Sequence, residues 1–293
     1  WRQKSLPSSQ IVTLLEKTTY IGASSISLCN QKGGVGKSTT TYHLARAAVL
    51  EGLRVIVVDL DPQGNITSSL AKHPVDEDTA GLADVLSNRT KLPISEVTVP
   101  GLWDGVDLVP TTGEALPVVR DELVVAGAGR ESRLRAALSP IASNYDVCLI
   151  DCPPSLDQLT INGLTATDIT LIVTHSKLWS ANGLARLLSS IDQIRTYYNP
   201  TLTIGGIIIN QHEARTTSGG HWISELTHEV EQRGLTIFNP PIPKRVAIAD
   251  SVEASQPLEQ WPTPEAAQLA DIYTQYLHAI QNHQEEQGNE QNQ

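Results

Sequence analysis

Residues 31–39 read QKGGVGKST and lie between an apolar run at residues 26–30 and a stretch rich in Ala and Leu at helical spacing at residues 38–51. The glycines of this loop let main-chain N–H groups curl around phosphate oxygens without Cβ clashes. A helix that begins near Lys37 directs the positive end of its dipole at the same anion. The succession of strand, glycine loop, Gly-Lys-Ser and helix therefore predicts a phosphate-binding loop, or P-loop.

The loop departs from the standard P-loop pattern at its first position. In that pattern a glycine opens the loop, whereas Gln31 stands there in this sequence and Lys32 adds a second lysine. Even so, Lys37 is expected to reach the β- and γ-phosphates, and the Ser38 hydroxyl is expected to ligate Mg²⁺. The predicted nucleotide contacts are Gly33, Gly34, Val35, Gly36, Lys37, Ser38 and Thr39.

Apolar runs and helical stretches alternate along the rest of the chain. The run RVIVVDL at residues 54–60 is almost entirely β-branched or aliphatic, as expected of a strand buried on both faces of a parallel sheet. Strands are predicted at residues 26–30, 54–60, 107–110, 146–151, 168–174 and 203–210, and helices at residues 38–51, 130–142, 156–164, 180–198 and 221–233. This order predicts an α/β fold of the P-loop NTPase type, with a mostly parallel, twisted sheet flanked by helices on both faces. Ligands of such sheets bind beyond the carboxyl ends of the strands.

Three aspartates follow predicted strands at that edge. Asp151 ends an apolar strand, where a P-loop enzyme places its carboxylate on the Mg²⁺ side. Asp59 and Asp61 end the strand in VVDLDPQGN, and strand alternation puts both on one face. One of them can orient an attacking water. The favoured division makes Asp59 a structural cap and Asp61 the functional group.

Composition limits the other possibilities. With a formal net charge of −11, the protein needs a local basic patch for any nucleic-acid binding. The sequence contains no run of about 18 apolar residues, so it predicts no membrane-spanning helix. It also lacks the pattern of a secretory signal. The histidines have no metal-ligand spacing, and three cysteines do not indicate a disulfide framework. Reduced thiols and a cytoplasmic location are therefore expected.

The motifs KGGVGKST, VDLDPQGN, CLIDCPPSL and LTINGLTATD together resemble the ParA branch of the ParA/MinD deviant-Walker ATPases, of the SIMIBI class. The resemblance is dense over residues 26–168 and looser over residues 205–253. It implies a single ATPase domain at residues 26–281. Residues 1–25 are polar and mixed and are expected to form an N-terminal extension, and residues 282–293, rich in Gln, Asn and Glu, are expected to form a disordered polar tail.

The same resemblance implies how the site works. The protein is expected to be a Mg²⁺-dependent ATP hydrolase with slow intrinsic turnover, which forms a homodimer around two ATP molecules. Lys32 would reach across to the phosphates of the partner subunit. Asp61 would act in hydrolysis and, with Ser38 and Asp151, near Mg²⁺. Asn210 and Pro243 resemble the elements that hold adenine.

The resemblance also implies binding to non-specific DNA, stimulation by a ParB-like centromere-binding partner, and association with the nucleoid. Arg215 matches a DNA-contacting arginine of the family, whereas Ala247 stands where the family has a second one. Lys244 and Arg245 lie nearby and are the candidate replacements. The region expected to face DNA, residues 201–293, nevertheless contains four basic and twelve acidic residues, a formal charge of −8.

The sequence bears on four alternative functions. A MinD-like membrane protein would end in a basic amphipathic helix, but this chain ends in acidic and polar residues. An iron–sulfur carrier would need interface cysteines, whereas packing is the favoured interpretation of Cys148 and Cys152. Two alternatives stay open: a ParA-like ATPase that positions a non-DNA cargo, and a nucleotide-gated interaction protein with little DNA binding.

Overall fold

The computed structural model describes residues 23–175, 181–213 and 217–290, and their strands form one seven-stranded sheet. The strands are β1 (Ser24–Cys29), β2 (Val55–Asp59), β3 (Val99–Pro100), β4 (Val106–Val109), β5 (Val147–Asp151), β6 (Ile169–His175) and β7 (Thr203–Asn210). Their order in the sheet is β3-β4-β2-β5-β1-β6-β7. All neighbours are parallel except β3 and β4. The predicted mostly parallel α/β sheet is confirmed.

Helices lie between these strands and after β7. They are α1 (Lys37–Leu50), α2 (Asn65–Leu70), α3 (Leu82–Leu86), α4 (Ile94–Val97), α5 (Ala115–Val125), α6 (Arg133–Leu138), α7 (Gln158–Thr165), α8 (Ala181–Tyr197), α9 (Thr217–Gln232), α10 (Val246–Glu253) and α11 (Ala266–Glu290). Short 3₁₀ helices lie at Arg130–Ser132, Ser139–Asn144 and Leu258–Gln260.

Two hydrophobic cores lie on opposite faces of the sheet. In β2, Val55 and Val57 belong to one core, while Ile56 and Val58 belong to the other. This is the period of two that a pleated strand imposes. The first core contains apolar residues of α1, α10 and α11, and the second contains those of α3 and α5 to α8. Helices on both faces thus bury a central sheet whose carboxyl edge is left for the site.

The six predicted strands all occur, with ends displaced by at most two residues. β3 was not predicted, because its two residues are too few to carry a pattern. The helix predicted at residues 130–142 was wrong as one continuous helix: the segment forms a 3₁₀ turn, then α6, then a second 3₁₀ helix. Pro140 lies in the first turn of that last element, and it interrupts the α-helical hydrogen-bond pattern because it has no N–H.

Both predicted chain ends differ from the structure where it describes them. β1 begins at Ser24, inside the predicted extension, because Ser24 and Ser25 pair with Val147 and Cys148 of β5. α11 continues to Glu290, so residues 282–290 are helical where a disordered tail was predicted. Gln284 at its end hydrogen-bonds the Ser24 hydroxyl. Glutamine and glutamate are good helix formers, so a polar composition did not by itself indicate disorder.

Candidate functional site

The predicted P-loop connects β1 to α1 at the carboxyl edge of the sheet. α1 begins at Lys37, directly after Gly36. Gly34 and Gly36 have φ values of 71° and 88°, a left-handed region that glycine adopts readily and other residues rarely do. The first N–H groups of a helix have no partner within it and attract an anion. The backbone therefore has the form that a phosphate-binding loop requires.

Asn210, at the end of β7, packs directly beneath this loop. Its Nδ2 donates to the carbonyl oxygen of Val35 at 3.0 Å, and its Oδ1 accepts from the main-chain N of Gln211 at 2.8 Å. A Cβ atom built on Gly36 would lie 1.9 Å from that Nδ2. Asn210 was predicted to hold adenine, and that contact stays a prediction. In this structure its amide holds the P-loop through Val35.

This close approach predicts a large cost for Gly36→Ala. The variant combines left-handed strain of about 1 kcal/mol with displacement of Asn210 and loss of its buried hydrogen bond, worth about 1–3 kcal/mol. The matched control is Gly52→Ala, because Gly52 has φ of 79° with nothing within 4 Å of a built Cβ. Urea unfolding is expected to give a loss for Gly36→Ala about 2 kcal/mol larger than for the control. Equal losses would contradict the packing described here.

Asp59 and Asp151 end the adjacent strands β2 and β5 and face each other in register. Asp59 accepts hydrogen bonds from the Thr67 main-chain N at 2.9 Å and from the Thr67 hydroxyl at 2.6 Å. It also accepts from the main-chain N of Asp61 at 3.2 Å. Burial and the nearby Asp151 raise the pKa of Asp59 well above its usual range. These contacts hold the start of α2 and are those of a structural cap.

Asp61 occupies a different environment. Asp61 is 6% exposed, and its Oδ1 accepts a hydrogen bond from the main-chain N of Gln63 at 3.0 Å. Asp61 also lines the pocket that lies against the P-loop. Of the two aspartates that follow β2, it is therefore the one placed to meet a ligand.

Asp151 is a buried carboxylate with an incomplete set of partners. The Ser38 hydroxyl donates a hydrogen bond to it, and the Thr41 hydroxyl lies 3.4 Å from its Oδ1. Its Oδ2 has no hydrogen-bond partner among the described residues. Burial raises the pKa of Asp151 to about 7, although Ser38 and the Lys37 charge oppose the shift. A buried carboxylate oxygen beside a serine hydroxyl fits a hard cation such as Mg²⁺, which prefers oxygen ligands.

The pocket against the P-loop has a volume of about 570 Å³. Predicted residues on its wall are Gly33, Gly34, Gly36, Lys37, Ser38, Thr39 and Asp61. The rest of the wall was not predicted; it consists of residues of α2 and α10 (Asn65, Ile66, Ser68, Ser69, Ala249, Val252 and Glu253) and of three loop residues (Gln63, Pro154 and Gln211). Asn65 is the last residue of the VDLDPQGN motif, but the other residues of these two helices lie outside the motifs, so only the fold reveals that they face the P-loop.

The other predicted nucleotide residues do not line this pocket. The side chain of Val35 is fully buried in a hydrophobic core, so only its main chain can meet a ligand. Lys32 is half-buried, and its main-chain N donates to Asn30 Oδ1 at 3.0 Å. Pro243 forms a β-bridge with His212, just beyond the end of β7. Their predicted contacts with nucleotide stay predictions.

The candidate DNA-binding cations have carboxylate partners. Lys244 Nζ lies 3.0 Å from Glu213 Oε1, and Arg245 Nε lies 3.0 Å from Glu265 Oε2. The side chains of Lys244 and Arg245 remain 61% and 43% exposed. Arg215 lies outside the described residues. The surface predicted to contact DNA is therefore, at these two positions, a surface of exposed ion pairs.

The three cysteines, Cys29, Cys148 and Cys152, are free and buried. Burial raises the pKa of Cys29 to about 11 and that of Cys148 to about 12. Among residues 23–175, 181–213 and 217–290, no group of three or more His, Cys, Asp or Glu side chains is arranged to hold a metal ion. In the same part of the chain, no helix has the length and apolar character needed to cross a membrane.

Comparisons with known proteins agree with this geometry. A family model described as an AAA domain matches residues 23–204. The sporulation initiation inhibitor protein Soj of Bacillus subtilis is 34% identical over 242 residues, covering 80% of this chain and 89% of Soj. The chromosome partitioning protein ParA of Myxococcus xanthus is 34% identical over 233 residues, covering 80% of each chain.

A solved structure provides a comparison of the fold. It is described as cobyrinic acid a,c-diamide synthase from Mycobacterium smegmatis with bound ATP analog and magnesium. It is 29% identical to this chain, with a TM-score of 0.74, over 90% of this chain and 96% of the other.

Proposed function

The chain belongs to the ParA/MinD family of P-loop ATPases, and on that premise we propose that it is an ATP-dependent partition ATPase. Its ATP-bound homodimer would bind non-specific DNA, and a ParB-like centromere-binding partner would stimulate hydrolysis and release. The proposal rests on one observation: Lys37, Ser38 and Asp61 line the same pocket, and Asp151 is hydrogen-bonded to Ser38. These groups supply a cation for phosphate, oxygen ligands for Mg²⁺, and a carboxylate for water.

The pocket suits ATP with Mg²⁺. Main-chain N–H groups from Gly33 to Ser38 would hold phosphate oxygens, and the Lys37 ammonium would balance their charge. Ser38, Asp61 and Asp151 are the proposed residues around Mg²⁺, which when bound neutralises charge that develops on the transferred phosphoryl group. The solved M. smegmatis structure with ATP analog and magnesium supports ATP with Mg²⁺ as the ligand. Asn210 and Pro243 stay the proposed neighbours of adenine.

Asp61 and Lys32 would complete the reaction. Asp61 would orient the attacking water, a role that needs a carboxylate on the pocket wall that is not already committed to holding a helix. Lys32 would contribute its charge to the phosphates of the partner subunit, where positive charge stabilises the transition state. Hydrolysis would then be linked to dimer dissociation.

Measurement of ATP turnover tests the enzymatic part of the proposal. The protein with Mg²⁺ is expected to hydrolyse ATP slowly, and faster when duplex DNA and a ParB-like partner are present. Absence of turnover under every condition would favour the nucleotide-gated interaction protein. Stimulation by a partner without any DNA binding would favour the ATPase that positions a non-DNA cargo. The ion-paired state of Lys244 and Arg245 is the observation that keeps these two functions in consideration.

Neutralising two acidic residues tests the proposed DNA surface. Exposed ion pairs are weak, so phosphate groups can displace Glu213 and Glu265, but the carboxylates still repel DNA. The double variant Glu213→Gln/Glu265→Gln is expected to bind non-specific duplex about 3- to 10-fold more tightly at fixed salt, because two repulsive charges are removed. The matched control is Asp121→Asn, whose partner is Arg120 on α5 at 2.9 Å. An equal gain in both variants would contradict a local effect at Lys244 and Arg245.

A further inference from the structure

We propose that Asn30 is a positioning residue that sets the direction in which Lys32 leaves the P-loop, an inference that rests on the proposed function of Lys32. The Asn30 side chain makes two hydrogen bonds. Its Nδ2 donates to the carbonyl oxygen of Val173 in β6 at 2.7 Å, and its Oδ1 accepts from the main-chain N of Lys32 at 3.0 Å. A single side chain therefore ties the first turn of the loop to the neighbouring strand.

The position of Asn30 in the sheet explains the first hydrogen bond. The parallel register of β1 and β6 ends at the pair Cys29–Ile172. Beyond that pair the main chain turns into the P-loop and leaves the strand direction. The Asn30 amide then supplies to the next β6 residue, Val173, the donor that the departing strand no longer offers. A buried carbonyl oxygen without a donor would cost free energy of folding. The Asn30 amide therefore stabilises the end of the β1–β6 pairing.

The second hydrogen bond shapes the turn itself. An asparagine oxygen that accepts from the main-chain N two residues later forms an Asx-turn, which mimics a backbone turn. The bond from Lys32 to Asn30 has this spacing. Because it fixes the main chain at Lys32, it also restricts the directions that the Lys32 side chain can take.

The rest of the loop is held by other groups. Asn210 supports Val35 and the close approach at Gly36, and α1 fixes Lys37 and Ser38. Loss of the Asn30 contacts is therefore expected to misplace Lys32 and to leave the groups that hold ATP in its own subunit nearly unchanged. This separation distinguishes positioning of Lys32 from a general role in folding.

The test compares Asn30→Ala with Lys32→Ala, with the double variant, and with Asn144→Ala, an exposed asparagine near the start of β5, as control. Asn30→Ala is expected to change the affinity for an ATP analogue by less than about 3-fold. It is expected to lower ATP-dependent dimerisation and turnover by about 10- to 100-fold, the usual effect of a small misplacement of a reacting group. Because Asn30 acts through Lys32, the double variant should be no worse than Lys32→Ala alone.

Hydrogen exchange of the Lys32 amide gives a readout that does not depend on activity. The amide is expected to be protected in the wild type and in Asn30→Ser, which keeps an acceptor, and to exchange faster in Asn30→Ala. Unchanged exchange in Asn30→Ala, or wild-type dimerisation and turnover in that variant, would overturn the proposal. If the wild type neither dimerises nor hydrolyses ATP, the proposed function fails instead, and the exchange rate still decides whether Asn30 holds this turn.

Discussion

Replacement of Lys37 by Ala is expected to lower the affinity for ATP by about 100-fold or more, because it removes a desolvated positive charge from the phosphate site. Lys37 is 6% exposed and begins the helix whose N-terminus faces the loop. No other lysine or arginine lines the pocket among the described residues. Binding of a fluorescent ATP analogue measures the effect directly.

The control for this variant must separate binding from folding. Lys37 also lies close enough to Asp151 for its charge to lower the pKa of that carboxyl, so its removal leaves a buried carboxylate without that support. Lys72→Ala is the matched surface variant, since the Lys72 ammonium forms an exposed pair with Asp104 at 3.7 Å. We expect Lys72→Ala to bind ATP normally. Wild-type affinity in a folded Lys37→Ala protein would contradict the assignment of the pocket.

Replacement of Asp61 by Ala is expected to reduce ATP turnover by about 100-fold or more, in the range of losses seen when a general base is removed. Affinity for ATP should change by less than about 3-fold, because the loop, Lys37 and Ser38 remain in place. The protein should therefore accumulate as an ATP-bound dimer. A single-turnover measurement of phosphate release, together with the mass of the ATP-bound species, checks both parts.

Asp59 provides the contrast within the same motif. Because its oxygens hold Thr67 at the start of α2, Asp59→Ala is expected to lower the free energy of unfolding by about 1–3 kcal/mol. Asp61→Ala, whose carboxylate accepts from the exposed turn at Gln63, should have a smaller effect on stability. Turnover at the wild-type rate in Asp61→Ala would contradict the role proposed for Asp61.

The strand-and-loop framework of the site was predictable because it depends on local sequence. The glycines, Lys37 and Ser38 occur in a motif whose spacing matches the phosphate chemistry, and buried β-branched runs mark β2 and β5. The order of the strands then brings Asp59 and Asp151 side by side. The motifs and the strand pattern therefore sufficed to place the P-loop and these aspartates at one edge of the sheet.

What could not be predicted depends on distant contacts. The pocket wall formed by α2 and α10 joins Asn65–Leu70 to Val246–Glu253, two segments that are distant in the chain. The hydrogen bonds of Asn30 and Asn210 join the loop to β6 and to the end of β7, respectively. The pairing of Lys244 and Arg245 with carboxylates also appears only in three dimensions. Side-chain contacts of this kind leave no spacing rule in a single sequence.

Binding of Asp61→Ala to non-specific duplex DNA, with ATP and with ADP across a salt series, tests the central claim most directly. The account predicts binding with ATP that weakens steeply as salt rises, since each phosphate contact contributes about 0.9 to the logarithmic slope, and little binding with ADP. The same weak binding with ATP and ADP at low salt would contradict an ATP-controlled partition function. The acidic region at residues 201–293, with its formal charge of −8, would then be the surface of a different partner.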